Sequence, residues 1–188
     1  MECLVGVRAD SRLKGYTAYV LFVLIGFIIV QRLLELAHAR RNQAWALANG
    51  GKEFAPEHYP FMVLLHSSWI VALLLEGLWR GSTPSNLWWL WLGLFVAAQG
   101  LRYIIISSLG KLWNTKIIIV PNAKLVRSGI YSVVKHPNYM VVALEIFVAP
   151  LIFNAWLTAI IYTILNAILL LGFRIPAEER ALATAQQS

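Results

Sequence analysis

Apolar residues occupy five long stretches of the chain, and polar residues gather between them. The stretches run from about Tyr16 to Ala37, Phe61 to Trp79, Leu87 to Leu109, Tyr139 to Phe153 and Ala155 to Phe173. Crossing ~30 Å of hydrocarbon takes ~20 mostly apolar residues in a helix. Four stretches meet that length. The fourth is shorter, interrupted by Glu145 and closed by Pro150. The pattern predicts an all-α integral membrane protein with about five transmembrane helices. Asn154 and its neighbours alone separate the last two, so these must form an antiparallel helical hairpin.

The segments between the spans add detail. Residues 1–14 are polar and are expected to fray. Arg8, Arg12 and Lys14 ahead of an apolar run imitate a signal peptide, but the run continues into Arg32-Leu33-Leu34-Glu35 without a small-residue cleavage pattern, which predicts a retained span. Arg32 and Glu35, one turn apart, can pair. His38 to Pro60 is expected to be a loop, because Gly50-Gly51 and Pro56 and Pro60 oppose a continuous helix. Within it, residues 36–48 could form a short interfacial helix with Trp45 at headgroup depth. Trp88, Trp89 and Trp91 suit an aromatic belt. Gly110 to Asn138 is a long loop, and Pro176 should end or kink the last helix. No internal repeat is visible. The expected organisation is one membrane domain over 1–188: three spans in 1–109, then loop, hairpin and tail in 110–188.

Composition agrees with the membrane reading. The chain is 59% hydrophobic and 13% charged, against roughly 25% charged in soluble domains. The net charge of +7 is read as a positive-inside bias rather than nucleic-acid binding. With five spans, Arg40, Arg41, Lys52, Lys111, Lys116, Lys124, Arg127, Lys135, Arg174 and Arg180 share one side. Arg8, Arg12, Lys14 and Arg80 take the other. That distribution predicts a cytoplasmic long loop and C-terminal tail. Cys3 stands alone, so no disulfide framework is possible.

An ionisable group inside a membrane is costly and by default suggests function. His66, Glu76, Arg102, Glu145 and Arg174 qualify. Glu76 and Arg174, near span ends, could snorkel; His66 could bond a neighbouring helix; Arg102 and Glu145 could form a structural pair. The polar stretch from Lys124 to Tyr139 is a candidate ligand loop between spans. Pro137 suits a first helical position, and the free N–H groups there favour an anionic group. His136 and Tyr139 add hydrogen bonds and a ring. Glu178 and Glu179, just past the fifth span, suit hydroxyls or an ammonium group, and the hairpin returns them to the face that holds His136.

Gly129-Ile130-Tyr131, Lys135-His136-Pro137-Asn138-Tyr139, the hairpin, and Arg174-Ile175-Pro176-Ala177-Glu178-Glu179-Arg180-Ala181-Leu182 together resemble the isoprenylcysteine carboxyl methyltransferase family. The resemblance covers the C-terminal half from Leu101. Lys135 stands where the family usually has Arg. Gln31-Arg32-Leu33-Leu34-Glu35 through Arg41-Asn42, with His58-Tyr59-Pro60, is similar to a compact bacterial branch, some of which is associated with lipophilic polyketides. The resemblance implies S-adenosylmethionine as cofactor, held by Ala123, Lys124, Leu125, Val126, Tyr131, His136, Pro137, Asn138, Tyr139 and Glu178. Arg174 would face the substrate, a lipophilic small molecule or a prenylcysteine met in the lipid bilayer. No Gly-x-Gly-x-x-Gly follows a strand, in keeping with a family that lacks a Rossmann domain.

The expected activity is methyl transfer to a carboxylate or to a phenolic or enolic hydroxyl. Candidate catalytic residues are Arg174, Glu145 and Arg102, with Arg174 orienting a carboxylate and Glu145 serving as base for a hydroxyl. The rivals are a reductase of the membrane sterol-reductase type, using NADPH, and a non-catalytic scaffold or transporter. The expected location is a multi-pass inner membrane in a bacterium or endoplasmic reticulum in a eukaryote.

Overall fold

The computed structural model describes residues 2–124 and 126–185, with side chains described for 15–124 and 126–184. Its elements follow in order: α1 (Glu2–Ala48), β1 (Lys52–Phe54), α2 (Tyr59–Trp79), α3 (Trp88–Leu109), β2 (Ile117–Ile119), α4 (Pro137–Ile152), α5 (Trp156–Leu169) and α6 (Ile175–Ala185). A π-helical turn, Leu170–Arg174, joins α5 to α6. Four helical segments, Gly15–Ala48, Pro56–Trp79, Trp88–Leu112 and Trp156–Thr184, are long and apolar enough to cross a bilayer. The helix α4 has 16 residues, about 24 Å at ~1.5 Å per residue, so it stops short of the full hydrocarbon thickness.

Each long helix buries one stripe and turns the rest outward. Leu21, Ile25 and Ile28 of α1, Leu65, Trp69 and Leu73 of α2, Phe95 of α3 and Ile146, Val148 and Ala149 of α4 form the main core. Phe22, Leu75, Ile161 and Leu171 are among the large apolar side chains left exposed, as a lipid-facing surface requires.

Several boundaries differ from the sequence expectation. The first helix does not fray at Glu2 or break near residue 36; it runs on to Ala48, since no glycine or proline lies between Gly26 and Asn49. It stops in a left-handed turn at Gly50, φ 79°. There Gly51 N–H donates to the Ala46 carbonyl at 2.8 Å and Gly50 N–H to Leu47 at 3.1 Å, the paired closure that ends many helices. Glu145 does not interrupt α4, and Pro150 lies inside it. Proline withholds the donor that the carbonyl four residues back would use. That carbonyl belongs to Ile146, and the Trp69 indole N–H donates to it at 3.2 Å. Pro176 lies in the first turn of α6, just past the π-helical turn where α5 gives way to it, a position that proline tolerates.

Glu76 is buried rather than snorkelling. Its carboxylate accepts the N–H groups of Leu157 at 3.1 Å and Thr158 at 2.7 Å, and Arg80 donates to it at 2.8 Å. The N-cap of α5 is Ala155, which has no capping side chain. An acidic group from α2 therefore satisfies the orphan donors of α5.

The chain path puts the end of α1, the start of α2, the end of α3, the start of α4 and all of α6 at one end of the bundle. The strands pair there, antiparallel, with Lys52 opposite Ile119 and Phe54 opposite Ile117. Asn42 donates to the carbonyls of Gly110 at 3.0 Å and Trp113 at 2.7 Å. Ile117 packs on Ala177 and Ala181 of α6. The long loop is thus fastened to α1 on one side and to the tail on the other.

Candidate functional site

These attachments leave a cleft of about 1170 Å³. Its walls come from α1, α2, the end of α3, residues 112–124 and 126–136, the start of α4 and α6. It has two levels.

The outer level joins loop to tail. Tyr139, in the first turn of α4, donates its hydroxyl hydrogen to Glu178 of α6. Arg174 Nε donates to the same hydroxyl at 3.1 Å, and Arg174 Nη2 to the Thr115 carbonyl at 2.7 Å. The π-helical turn places Arg174 here: it closes the turn and is 5% exposed, so its charge points into the fold. Such turns often mark functional positions in helices. The His136 ring stacks on Tyr139, centroids 5.6 Å apart at 25°, and its Nε2 lies 3.2 Å from Glu179. Glu179 also accepts from Lys135 Nζ at 2.5 Å. The Tyr131 phenol is pushed up to about 12, first by burial and then by the Glu178 charge, so it remains a neutral hydrogen-bonding group at physiological pH. Asn138 Oδ1 is buried without a partner among the described residues.

The inner level lies within the bundle. Glu35 accepts from Arg32 at 2.7 Å and from Arg102 Nε at 2.5 Å and Nη2 at 2.9 Å. Glu145 accepts from Arg32, from Arg102 Nη1 at 2.9 Å and from Gln99 at 3.1 Å. Gln31 donates to Gln99 at 2.5 Å and to Glu35 at 3.0 Å. Two guanidinium groups face two carboxylates, so the cluster is internally neutral. Four charged groups from three helices, Arg102 and Glu145 fully buried, are tolerated only with this degree of pairing.

Of the residues singled out from sequence, Ala123, Lys124, Val126, Tyr131, His136, Pro137, Asn138, Tyr139 and Glu178 all line the cleft, and so do Arg174 and Arg102. Leu125 lies outside the described residues. Glu145 does not line it: the side chain is enclosed by the arginines and Gln99, and the residue is 1% exposed. The predicted Arg32–Glu35 pair is present. Sequence reasoning missed Gln31 and Gln99 as members of the cluster and Thr115 as the partner of Arg174. Residues 31, 32 and 35 share a helical face, which is the signal available for the first.

The sequence matches the isoprenylcysteine carboxyl methyltransferase (ICMT) family over residues 91–184. The chain is 42% identical over 162 residues to the uncharacterized protein YpbQ of Bacillus subtilis, covering 86% of this chain and 95% of that protein. An uncharacterized protein of Haemophilus influenzae is 25% identical over 166 residues, covering 87% of this chain and 96% of its own length. No solved structure matches.

Proposed function

Because this chain belongs to the isoprenylcysteine carboxyl methyltransferase family, a family of membrane methyltransferases, we propose that it transfers a methyl group from S-adenosylmethionine to an oxygen of a lipophilic acceptor. The observation that carries this reading is the outer level of the cleft. There residues 123–139 and the tail, some forty positions apart, meet through Tyr139, Arg174 and Glu178.

The residues present fit the cofactor's chemistry. The first turn of α4 begins at Pro137 and has no side-chain cap; Tyr139 and Met140 N–H donate to the His136 carbonyl, which leaves the Asn138 N–H and a positive dipole end for a carboxylate. Glu178 and the partnerless Asn138 Oδ1 offer acceptors for an ammonium, an amino group or ribose hydroxyls. Tyr131 and the stacked His136 and Tyr139 rings offer flat apolar surface. The volume suits a nucleoside with an acceptor beside it, since pockets for drug-sized ligands run about 300–1,000 Å³.

When bound, the cofactor supplies a methyl already activated as a sulfonium. The protein then contributes position and exclusion of water, and good alignment alone is worth about 7–11 kcal/mol. Arg174 is fixed by two hydrogen bonds, and in the proposed mechanism it holds the acceptor oxygen in line. Thr115 and Tyr139 keep its fork from rotating. The acceptor reaches the cleft from the bilayer: Val63 lines the cleft and is 47% exposed on the apolar surface. Loop and tail face the cytoplasm in this reading, on the strength of the ten-to-four basic asymmetry.

The test is binding of S-adenosylhomocysteine against NADPH to the purified protein, followed by labelled methyl transfer into a lipid extract. Binding of the first with a labelled lipid product is the expected result. Binding of NADPH instead moves the protein to the reductase class, and binding of neither leaves a scaffold or transporter.

A further inference from the structure

His66 lines the cleft on the same stripe of α2 as Met62, Val63 and Ile70, about 10 Å along the axis from Tyr59 at ~1.5 Å per residue. Its Nδ1 lies 2.7 Å from the Met62 carbonyl. A carbonyl oxygen only accepts, so Nδ1 holds the hydrogen and Nε2 of the neutral ring keeps its lone pair. Among the described residues no donor reaches Nε2. The charged groups around the ring are Arg32 and Glu35 of α1, Arg102 of α3 and Glu145 of α4. These neutralise one another. The inner level therefore offers a ligand one acceptor fixed in its tautomer, with no surplus charge beside it. A bond to its own helix would satisfy a purely structural histidine, yet would not require the ring to face a cleft.

We propose that His66 Nε2 is the proton acceptor for methyl transfer to a phenolic or enolic hydroxyl, whose ring lies between α1 and α2. The proposal rests on the methyltransferase reading and selects its acceptor class, because a carboxylate acceptor has no proton to lose. In the step, the O–H bond breaks toward Nε2 and the oxygen pair forms the new O–CH₃ bond. The C–S electron pair stays on sulfur, and the imidazolium then returns its proton to water. A neutral ring that keeps its Nε2 lone pair toward the cleft is the form that can take up a proton.

The probe is a long-chain 4-nitrophenol bound to the full-length protein in detergent, its phenolate followed by visible absorbance across pH. Because neutral Nε2 accepts from the phenol hydroxyl and so favours its protonated form, the bound phenol should ionise about one pH unit higher in the wild type than in His66→Gln, the size of shift one well-placed partner gives. His66→Asn should repeat the change, which guards against misfolding of a single variant. S-adenosylhomocysteine binding should stay at wild-type strength in both. Transfer of labelled methyl to the phenol should fall about 100-fold, and free imidazole should restore part of it in His66→Ala. Equal ionisation in wild type and variants overturns the proposal. So does failure of the phenol to bind a wild-type protein that binds S-adenosylhomocysteine. If S-adenosylhomocysteine itself does not bind, the methyltransferase reading is what fails.

Discussion

The two levels of the cleft are built from the same residue types and differ in whether their arginines meet carboxylates. In the inner level, the charges of Arg32 and Arg102 are matched by those of Glu35 and Glu145, with Gln31 and Gln99 bridging, and the polar atoms without a partner among the described residues are Arg32 Nε and Gln31 Oε1. In the outer level, Arg174 donates to a hydroxyl and a carbonyl rather than to a carboxylate, Glu178 accepts from a phenol, and Asn138 Oδ1 has no partner among the described residues. Pairing of charges inside the bilayer is a condition of folding, while incomplete pairing beside water is capacity for a ligand. An arginine is therefore informative here through its partners more than through its depth.

Four measurements can break or sharpen this contrast. The largest effect is expected from Glu145→Ala, which leaves the two guanidinium groups of Arg32 and Arg102 with Glu35 as their one carboxylate. Removing one partner of a buried pair costs about 3–5 kcal/mol, to be read as lost thermal stability in detergent. If Glu145→Gln keeps wild-type stability but loses turnover a hundredfold, the carboxylate is a base after all and the inner level is not merely structural. Next is Arg174→Ala, expected to lower methyl transfer by about 10²–10³, as loss of one oriented electrostatic group does, with little change in unfolding temperature. Near wild-type activity would remove Arg174 from the site. Tyr139→Phe cuts the bond between α4 and α6. A hydrogen bond to a charged group is worth about 1.5–3 kcal/mol, so S-adenosylhomocysteine affinity, measured by calorimetry, should fall about tenfold. The smallest effect is expected from Lys135→Ala. Its pair with Glu179 is exposed, with the lysine side chain 72% accessible, and such pairs contribute about 0–1 kcal/mol. A larger loss of stability, or one that survives high salt, would make that pair part of the closed architecture.

The spans and the meeting of loop with tail were legible in the sequence for a simple reason. Hydropathy marks where helices cross, and a hairpin with almost no connection returns the chain to the face it left. That argument brought His136 and Glu178 together, and both line the cleft. Pairing between distant helices was not legible. Arg32 and Glu145 are 113 positions apart, and periodicity states which face of a helix is polar but not which other helix it meets. Glu76 shows the same limit: its place near a span end suggested a side chain reaching for water, but the start of α5 supplies two N–H groups at closer range. Proline misled in the other direction. Pro150 read as a stop, yet the Trp69 indole supplies a donor to the Ile146 carbonyl that Pro150 leaves open.

The carboxylate that α2 lends to α5 also bears on how the protein is made. The final hairpin cannot complete its own helix start, because Ala155 offers nothing to the Leu157 and Thr158 amides. Glu76 leaves the ribosome some eighty residues earlier, so the receptor for that helix is already in the bilayer when the last span arrives. Expressed without the first two helices, the C-terminal half would carry its signature motifs and still lack the group that seats its last span.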